Sequence, residues 1–524
     1  MKFSTYSFAS LAISPLLLGG TATAQENSTV AASYYETDYG YAHIPIEWHP
    51  CDPHDPHVLC GDIEFCQDGD NYGYRRLGDK HAPCGGGVPG PLIRFEIGKQ
   101  YKLTLHNYAS KVTNLHTHGL HVVGDGDGDD VTREAWPGDC LTYHYDINKN
   151  QPPGTNWYHP HYEGESLAQV TGGAFGMIIV DDILDDPHNP IPEWAEPENE
   201  FLLQVFQGAS GSQSLGNGKK VPYEQVFHMQ AHKWYRLRVS TVNAQGRTSG
   251  LWFPDECTVY KVASDGVWHE AGFAHYDGLC YAMTGSSRGD YAIKCSEDGS
   301  VNWQNSRVAK LKVYHHNSGH TTDTPPGHAP SKPDWMTGWL GAQVDEHNKK
   351  IITLFGTTGT LYGYEDDQEP QINGMQWDPD HPAGIVSYNE VQEWTIRYSI
   401  FHPFHTHLYH MQIASKDGCG DYKYGEFYDT IASAEDCVVR FKTANIGQRF
   451  VIHCHDLNHE AVGQIIWYDV RDVPDDHKNT NNGDPFKCPT NYHPYVPPKD
   501  DKEVDKKLEP FEFSDKYGHL RNRL

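Results

Sequence analysis

His453-Cys454-His455-Asp456-Leu457-Asn458-His459-Glu460-Ala461-Val462-Gly463-Gln464 is the stretch on which the reading of this sequence turns. Side chains of an extended strand alternate faces, so if the run begins on a strand, His453 and His455 point to one side and Cys454 to the other. A metal held by the thiolate is then connected through the backbone to imidazoles that face a different metal. Such a run asks for a β framework, and the chain supplies one. Leu92-Ile93-Arg94-Phe95-Glu96-Ile97 and Tyr101-Lys102-Leu103-Thr104-Leu105-His106 alternate apolar and polar residues about Gly98, and Tyr235 to Val239 and Val391 to Ile396 repeat the pattern. The chain of 524 residues exceeds one ordinary core and suggests about three domains. A hydrophobic content of 38%, with 50 Gly and 33 Pro, fits an all-β chain better than a helical or disordered one.

Chance could produce one His-Cys-His triplet among 33 His. Three further pairs share its i, i+2 spacing: His116-Thr117-His118 before Gly119, His159-Pro160-His161 after Trp157-Tyr158, and His405-Thr406-His407 within His402-Pro403-Phe404-His405. Each pair sets two imidazoles on one side of an extended segment. The four pairs offer eight imidazoles, enough for a cluster of metal ions, and leave His402, Cys454 and His459 for one more. Zinc fits poorly, since its sites use about four ligands with paired Cys, and Cys454 has no CxxC partner.

These four blocks, in this order, resemble those of the multicopper oxidase family of laccases, ascorbate oxidases, bilirubin oxidases and ferroxidases. The resemblance covers the first and last thirds of the mature chain and is weak in the middle. It implies consecutive cupredoxin-like Greek-key sandwiches and four copper ions as cofactors. It assigns His402, Cys454 and His459 to the type 1 copper, His116 and His405 to type 2, and His118, His159, His161, His407, His453 and His455 to the type 3 pair. Thiolate and imidazole with a weak axial partner select copper over harder metals.

Five residues after His459, at the axial position, stands Gln464, where laccases commonly carry Leu or Phe and bilirubin oxidases Met. An amide oxygen favours oxidised copper more than a thioether does, so a ligating Gln464 predicts a low-potential type 1 site. The alternative is that Gln464 turns away and bonds elsewhere. Reducing dioxygen to water also consumes protons, and by resemblance two carboxylates are placed to donate them: Glu460, directly after His459, and Asp127 in Gly124-Asp125-Gly126-Asp127-Gly128-Asp129-Asp130. Asp125 or Asp129 could serve in place of Asp127. The acidic run lacks the spacing of an EF-hand loop.

The N-terminus reads as a secretory signal over residues 1–24, with Lys2, an apolar stretch from Phe8 to Gly20 and Ala22-Thr23-Ala24 before the cut. The mature protein is therefore expected to be extracellular, a monomer, and free of a membrane span. Asn27-Ser28-Thr29 is a glycosylation sequon. The 12 Cys of a secreted chain imply disulfides, and with Cys454 reserved for copper at least one thiol is left over. Cys51, Cys60, Cys66 and Cys84 lie near His49, His54 and His57 and read as a stapled surface insertion, with a metal site as the alternative. Cys257 or Cys280 with Cys295, and Cys419 with Cys437, are candidate local pairs. A net charge of −29 disfavours nucleic acid and anionic membranes as partners and attracts cations.

Pro-rich crossings at Pro187 to Pro197 and Thr321 to Trp335 divide the chain into domains 25–183, 184–338 and 339–524, the last ending in a charged tail from Pro497. With the His pairs confined to the first and third domains, the cluster belongs at their interface, and the middle domain is expected to act as a spacer and a candidate wall of the substrate site. The resemblance implies an oxidase that takes single electrons from a reductant through an exposed edge of His402 or His459, and reduces dioxygen at the cluster. His405-Thr406-His407-Leu408 resembles the form found in bilirubin oxidase and spore-coat laccase, which points to phenols and other electron-rich aromatics as reductants. Ferrous, manganous or cuprous ion is the second choice, and a copper carrier without turnover is the alternative of another class. His410 is expected to be a packed or solvent-facing residue outside the metal sites.

Overall fold

The computed structural model describes residues 41–478 and 484–488, apart from 185–188, 209–212, 271–279, 316–321, 357–368 and 398. The signal sequence, the Asn27 sequon, the tail from Pro497 and parts of both Pro-rich crossings lie outside the described residues.

One strand pattern is used three times. Asp55–Asp68 runs parallel to Lys99–Asn107, which pairs antiparallel with Asp139–Ile147. Glu200–Gln207, Tyr235–Asn243 and Arg288–Cys295 repeat this arrangement, as do Lys349–Phe355, Val391–Arg397 and Cys437–Lys442. Each of these sheets faces a second one that also contains a parallel pair: Ile93–Phe95 with Gly176–Val180, Gln225–Gln230 with Ser306–Tyr314, and Gly384–Ser387 with Ile465–Arg471. The alternation about Gly98 is resolved by a change of sheet. Ile93–Phe95 and Lys99–Asn107 lie in opposite layers, and Gly98, at φ +93°, makes the corner in the left-handed region that glycine tolerates.

Inward-facing residues of the first and third sandwiches merge into one apolar core that includes Phe65, Leu103 and Tyr143 from the former and Trp394, Phe441 and Phe450 from the latter. The middle sandwich has its own core around Leu237, Tyr291 and Trp303. The fused core holds the first and third sandwiches against each other, which is what a site shared between them requires.

Five disulfides join Cys51–Cys60, Cys66–Cys84, Cys140–Cys488, Cys257–Cys295 and Cys419–Cys437, leaving Cys280 and Cys454 as thiols. The cysteines of the Cys51-to-Cys84 group are thereby paired with one another, and none is left for a metal. One expectation is corrected. Phe486–Lys487 pairs antiparallel with Asp139–Cys140 and is tied there by the Cys140–Cys488 bridge, so this part of the chain after 339 belongs to the first sandwich. No helix among the described residues is long and apolar enough to cross a membrane.

Trp394 is fully buried, with ring centroids 4.8 Å from Phe441 and 5.0 Å from Tyr468. Trp394→Ala is expected to cost about 3–5 kcal/mol through the cavity it leaves. The check is a lowered midpoint in thermal or denaturant unfolding; an unchanged midpoint would contradict this account of the core.

Candidate metal centre

The last strand of the third sandwich before the motif turn, Gln448–Cys454, lies between Phe404–Thr406 and Ile465–Arg471. Its register sets His405 opposite His453 and Phe404 opposite Cys454. Directly opposed residues share a face, so the His pair and the thiol leave the strand on opposite sides. In the first sandwich, His116–His118 pairs with Gly154–His159, with His116 opposite His159. Strand alternation thus delivers two imidazoles from each short edge into one space, which accounts for the i, i+2 spacing.

Eight buried imidazoles meet there: His116, His118, His159, His161, His405, His407, His453 and His455. His116 stacks on His407 at 3.8 Å and His118 on His405 at 3.8 Å, so rings from the two sandwiches interleave. The nitrogens divide into two sets. Outer nitrogens have ordinary partners: His116 Nδ1 lies 2.7 Å from Asp129, His118 Nε2 3.2 Å from Asp429 and His159 Nδ1 3.0 Å from the Pro160 carbonyl. His405 Nδ1 reaches the Asp429 carbonyl at 2.8 Å and His453 Nδ1 the Cys454 carbonyl at 2.9 Å. Inner nitrogens do not: His116 Nε2, His118 Nδ1, His159 Nε2, His405 Nε2, His407 Nε2 and both nitrogens of His455 have no hydrogen-bond partner. His161 Nε2 and His453 Nε2 face each other at 3.2 Å.

Buried polar atoms are normally satisfied, and a metal ligand with its other nitrogen anchored is the usual reason for such an orphan. Burial, reinforced by neighbouring imidazoles, lowers His116 to a pKa of about 3. His118, His159, His405, His407 and His455 are likewise held well below the usual range by burial. The rings are therefore neutral, with lone pairs to give, and the donor set fits a cluster of metal ions.

A second centre lies on the other face of the strand. Cys454 Sγ is 3.7 Å from His402 Nδ1 and 3.6 Å from His459 Nδ1. After Cys454 the chain turns on Asp456, whose carboxylate accepts from the Asn458 amide at 3.0 Å and caps the short helix Leu457–Glu460 that carries His459. The Cys454 amide then donates to the Gln464 carbonyl at 3.1 Å, which closes the loop and brings Gln464 beside the thiol. The Gln464 amide nitrogen donates to the Phe355 and Gln371 carbonyls at 3.0 and 3.1 Å, fixing its oxygen toward the centre, 2.9 Å from His402 Nδ1. Burial and then the Asp456 charge push the Cys454 thiol well above its usual pKa, so a thiolate there needs a bound cation. Thiol, two imidazoles and an amide oxygen fit a copper ion of the blue type.

Glu460 is buried between the cluster and a cleft lined by Glu134, His161, Tyr162, Glu163 and Trp377. It accepts from Ser166 Oγ at 2.8 Å and lies 3.1 Å from His453 Nδ1. Asp127 is placed differently from the expectation. It pairs with His144 at 2.9 Å, on the far side of the acidic turn, while Asp129 reaches the cluster. The turn brings the Asp129 amide onto the Val123 carbonyl at 2.7 Å, so the Asp129 carboxylate caps the Thr117 amide, also at 2.7 Å, and orients His116. The imidazoles of His402 and His459 are also more enclosed than expected, at 5% and 1% exposure. The exposed side chains beside them in sequence are Ile400, Phe401 and Val462. His410 is packed, with Nε2 2.7 Å from the Asp265 carbonyl. Sequence reasoning missed Asp429 and Arg288, which carry no local pattern and meet only through the fold.

The family models that match the chain are both described as Multicopper oxidase, over residues 76–184 and 352–473. The multicopper oxidase mco of Staphylococcus aureus is 23% identical over 408 residues, covering 72% of this chain and 81% of that protein. An iron transport multicopper oxidase of Gibberella zeae is 27% identical over 234 residues, covering 41% of this chain and 35% of its own length. The crystal structure of a laccase from Pediococcus acidilactici superposes with a TM-score of 0.63 at 20% identity, covering 82% of this chain and 94% of that one. That likeness shows the fold, a series of cupredoxin-like sandwiches.

Asp129→Ala is expected to weaken metal retention at the His116 position by about 10–100-fold, the usual effect of removing a carboxylate that orients a ligating His. Asp127→Ala should leave retention unchanged. Metal content after dialysis against a graded chelator series measures both, and the reverse ranking would overturn this account of the acidic turn.

Proposed function

The chain belongs to the multicopper oxidase family of copper-binding oxidases that use dioxygen as acceptor, and we propose that it is a secreted, laccase-like, monomeric member oxidising phenols and other electron-rich aromatics. In this reading His402, Cys454, His459 and Gln464 would hold the type 1 copper. His116 and His405 hold type 2, and His118, His159, His161, His407, His453 and His455 the type 3 pair. When bound, the four coppers supply one-electron oxidation of the reductant and four-electron reduction of dioxygen to water.

The observation that carries the reading is the placement of Cys454 between His453 and His455, thiol to one centre and imidazoles to the other. The peptide chain itself is then the route between the centres, so the organic reductant never needs to enter the dioxygen site. Exposed Ile400, Phe401 and Val462, adjoining the enclosed His402 and His459, give an aromatic ring an apolar surface to rest on near the electron entry. Glu460 holds and passes protons at its carboxylate oxygens between the cleft and the His161–His453 side of the cluster. Gln464, its amide fixed by two backbone carbonyls, directs an oxygen donor at the type 1 site and favours the oxidised ion, which sets a low potential.

The acidic chain and its likeness to an iron transport oxidase favour a second reading, oxidation of ferrous, manganous or cuprous ion. A carrier without turnover needs only one copper and leaves the eight-imidazole cavity without a purpose. The reading also has the protein acting without nucleic acid or membrane partners.

Copper-loaded protein should consume dioxygen when given an electron-rich phenol, and Cys454→Ser should abolish both the blue absorption and the uptake. Uptake with metal ions alone would move the assignment to the second reading, and none with any reductant would defeat both. Gln464→Met is expected to raise the type 1 reduction potential in a redox titration; an unchanged or lowered potential would show that the amide does not ligate.

A further inference from the structure

Arg288 is fully buried and stands where all three sandwiches meet. It belongs to Arg288–Cys295 of the middle sandwich. Its guanidinium donates to both carboxylate oxygens of Asp429 in the third, at 2.8 and 2.5 Å. It also donates to the Thr155 carbonyl at 3.2 Å and to Asn156 Oδ1 at 3.3 Å, on the strand of the first sandwich that ends at His159. A Cβ built on Gly119, the residue after His118, would lie 2.2 Å from Arg288 Nη2. The glycine that follows the first His pair thus makes room for this guanidinium.

Asp429 in turn faces the cluster. One carboxylate oxygen accepts from His118 Nε2 at 3.2 Å and from the Thr430 hydroxyl at 3.0 Å, and its carbonyl accepts from His405 Nδ1 at 2.8 Å. The Asp429 amide donates to Asp265 of the middle sandwich at 3.1 Å. Because Asp429 accepts a hydrogen bond from the Nε2–H of His118, the lone pair of that ring is left on Nδ1, the inner nitrogen without a partner. His118 presents Nδ1 inward, whereas His116, His159, His405 and His407 present Nε2, and the carboxylate behind it is what selects that tautomer. A carboxylate buried this deeply keeps one orientation only if its charge is met and its lone pairs are filled, and a two-pronged guanidinium does both.

We propose that Arg288 is a positioning residue for the trinuclear site: by clamping Asp429 it fixes the tautomer and orientation of His118 and the ring of His405, so the middle sandwich helps to build a cluster to which it gives no ligand. The proposal rests on the trinuclear reading above. It extends beyond it, because the resemblance and the His spacing leave the middle sandwich a spacer.

The test uses the full-length, copper-loaded protein and its Arg288→Met and Arg288→Lys variants, with copper as the only added metal. Arg288→Met is expected to lose cluster copper about 10–100-fold more readily to a chelator, and to shift the type 2 electron paramagnetic resonance signal, while the blue absorption at Cys454 stays at its wild-type intensity. Arg288→Lys keeps the charge without the fork and should fall between Arg288→Met and the wild type. Wild-type cluster signals in both variants would overturn the proposal. So would an equal fall of cluster and blue signals in Arg288→Lys, which a merely structural role would give. A wild-type chain that itself holds no cluster copper would overturn the trinuclear reading first, and that outcome is visible before either variant is made.

Discussion

Everything in this structure depends on a buried cavity that brings eight imidazoles together and leaves most of their inner nitrogens without protein partners. Each such atom, buried unsatisfied, costs about 1–3 kcal/mol. Six of the rings carry one or more, so the combined penalty is comparable with the roughly 5–15 kcal/mol net stability of a typical domain. Metal binding removes the penalty, and its free energy becomes part of the folding free energy. The fused core of the first and third sandwiches holds the cavity walls together against that cost.

Strand geometry links the cavity to the second centre. Because neighbouring residues on a strand face opposite ways, Gln448–Cys454 points a thiol at one site and imidazoles at the other without any bend or insertion. The turn that follows, capped by Asp456 and closed by the Cys454–Gln464 backbone bond, returns His459, Glu460 and Gln464 to three different tasks within a few residues. One hairpin-like segment therefore places an imidazole and an amide oxygen at the thiol centre and a carboxylate beside the imidazole cluster.

The parts of this arrangement that could be read from the sequence are those with a local period. The i, i+2 His pairs, the alternating strands and the residues close behind Cys454 announce themselves because strand geometry maps directly onto spacing. Cys419–Cys437 was legible as a local pair and Cys295 was left to Cys257 or Cys280, between which the fold chooses Cys257, whereas Cys140–Cys488, separated by 348 residues, was not legible. Asp127 and Asp129 share one acidic run, and only the hydrogen bonding of the turn decides that Asp129 reaches His116. Arg288 and Asp429 are unremarkable residues far apart in the chain, and the importance of their contact comes from three sandwiches closing on one point. The middle domain, read as a spacer, is keyed into the third by that ion pair and into the first by the hydrogen bonds of the same guanidinium to Thr155 and Asn156.

The most direct measurement is anomalous diffraction at the copper edge from crystals of the full-length protein. The account predicts a group of copper peaks enclosed by His116, His118, His159, His161, His405, His407, His453 and His455, and a separate peak beside Cys454 Sγ. Copper beside Cys454 alone, or no copper in the eight-imidazole cavity of copper-loaded protein, would contradict it.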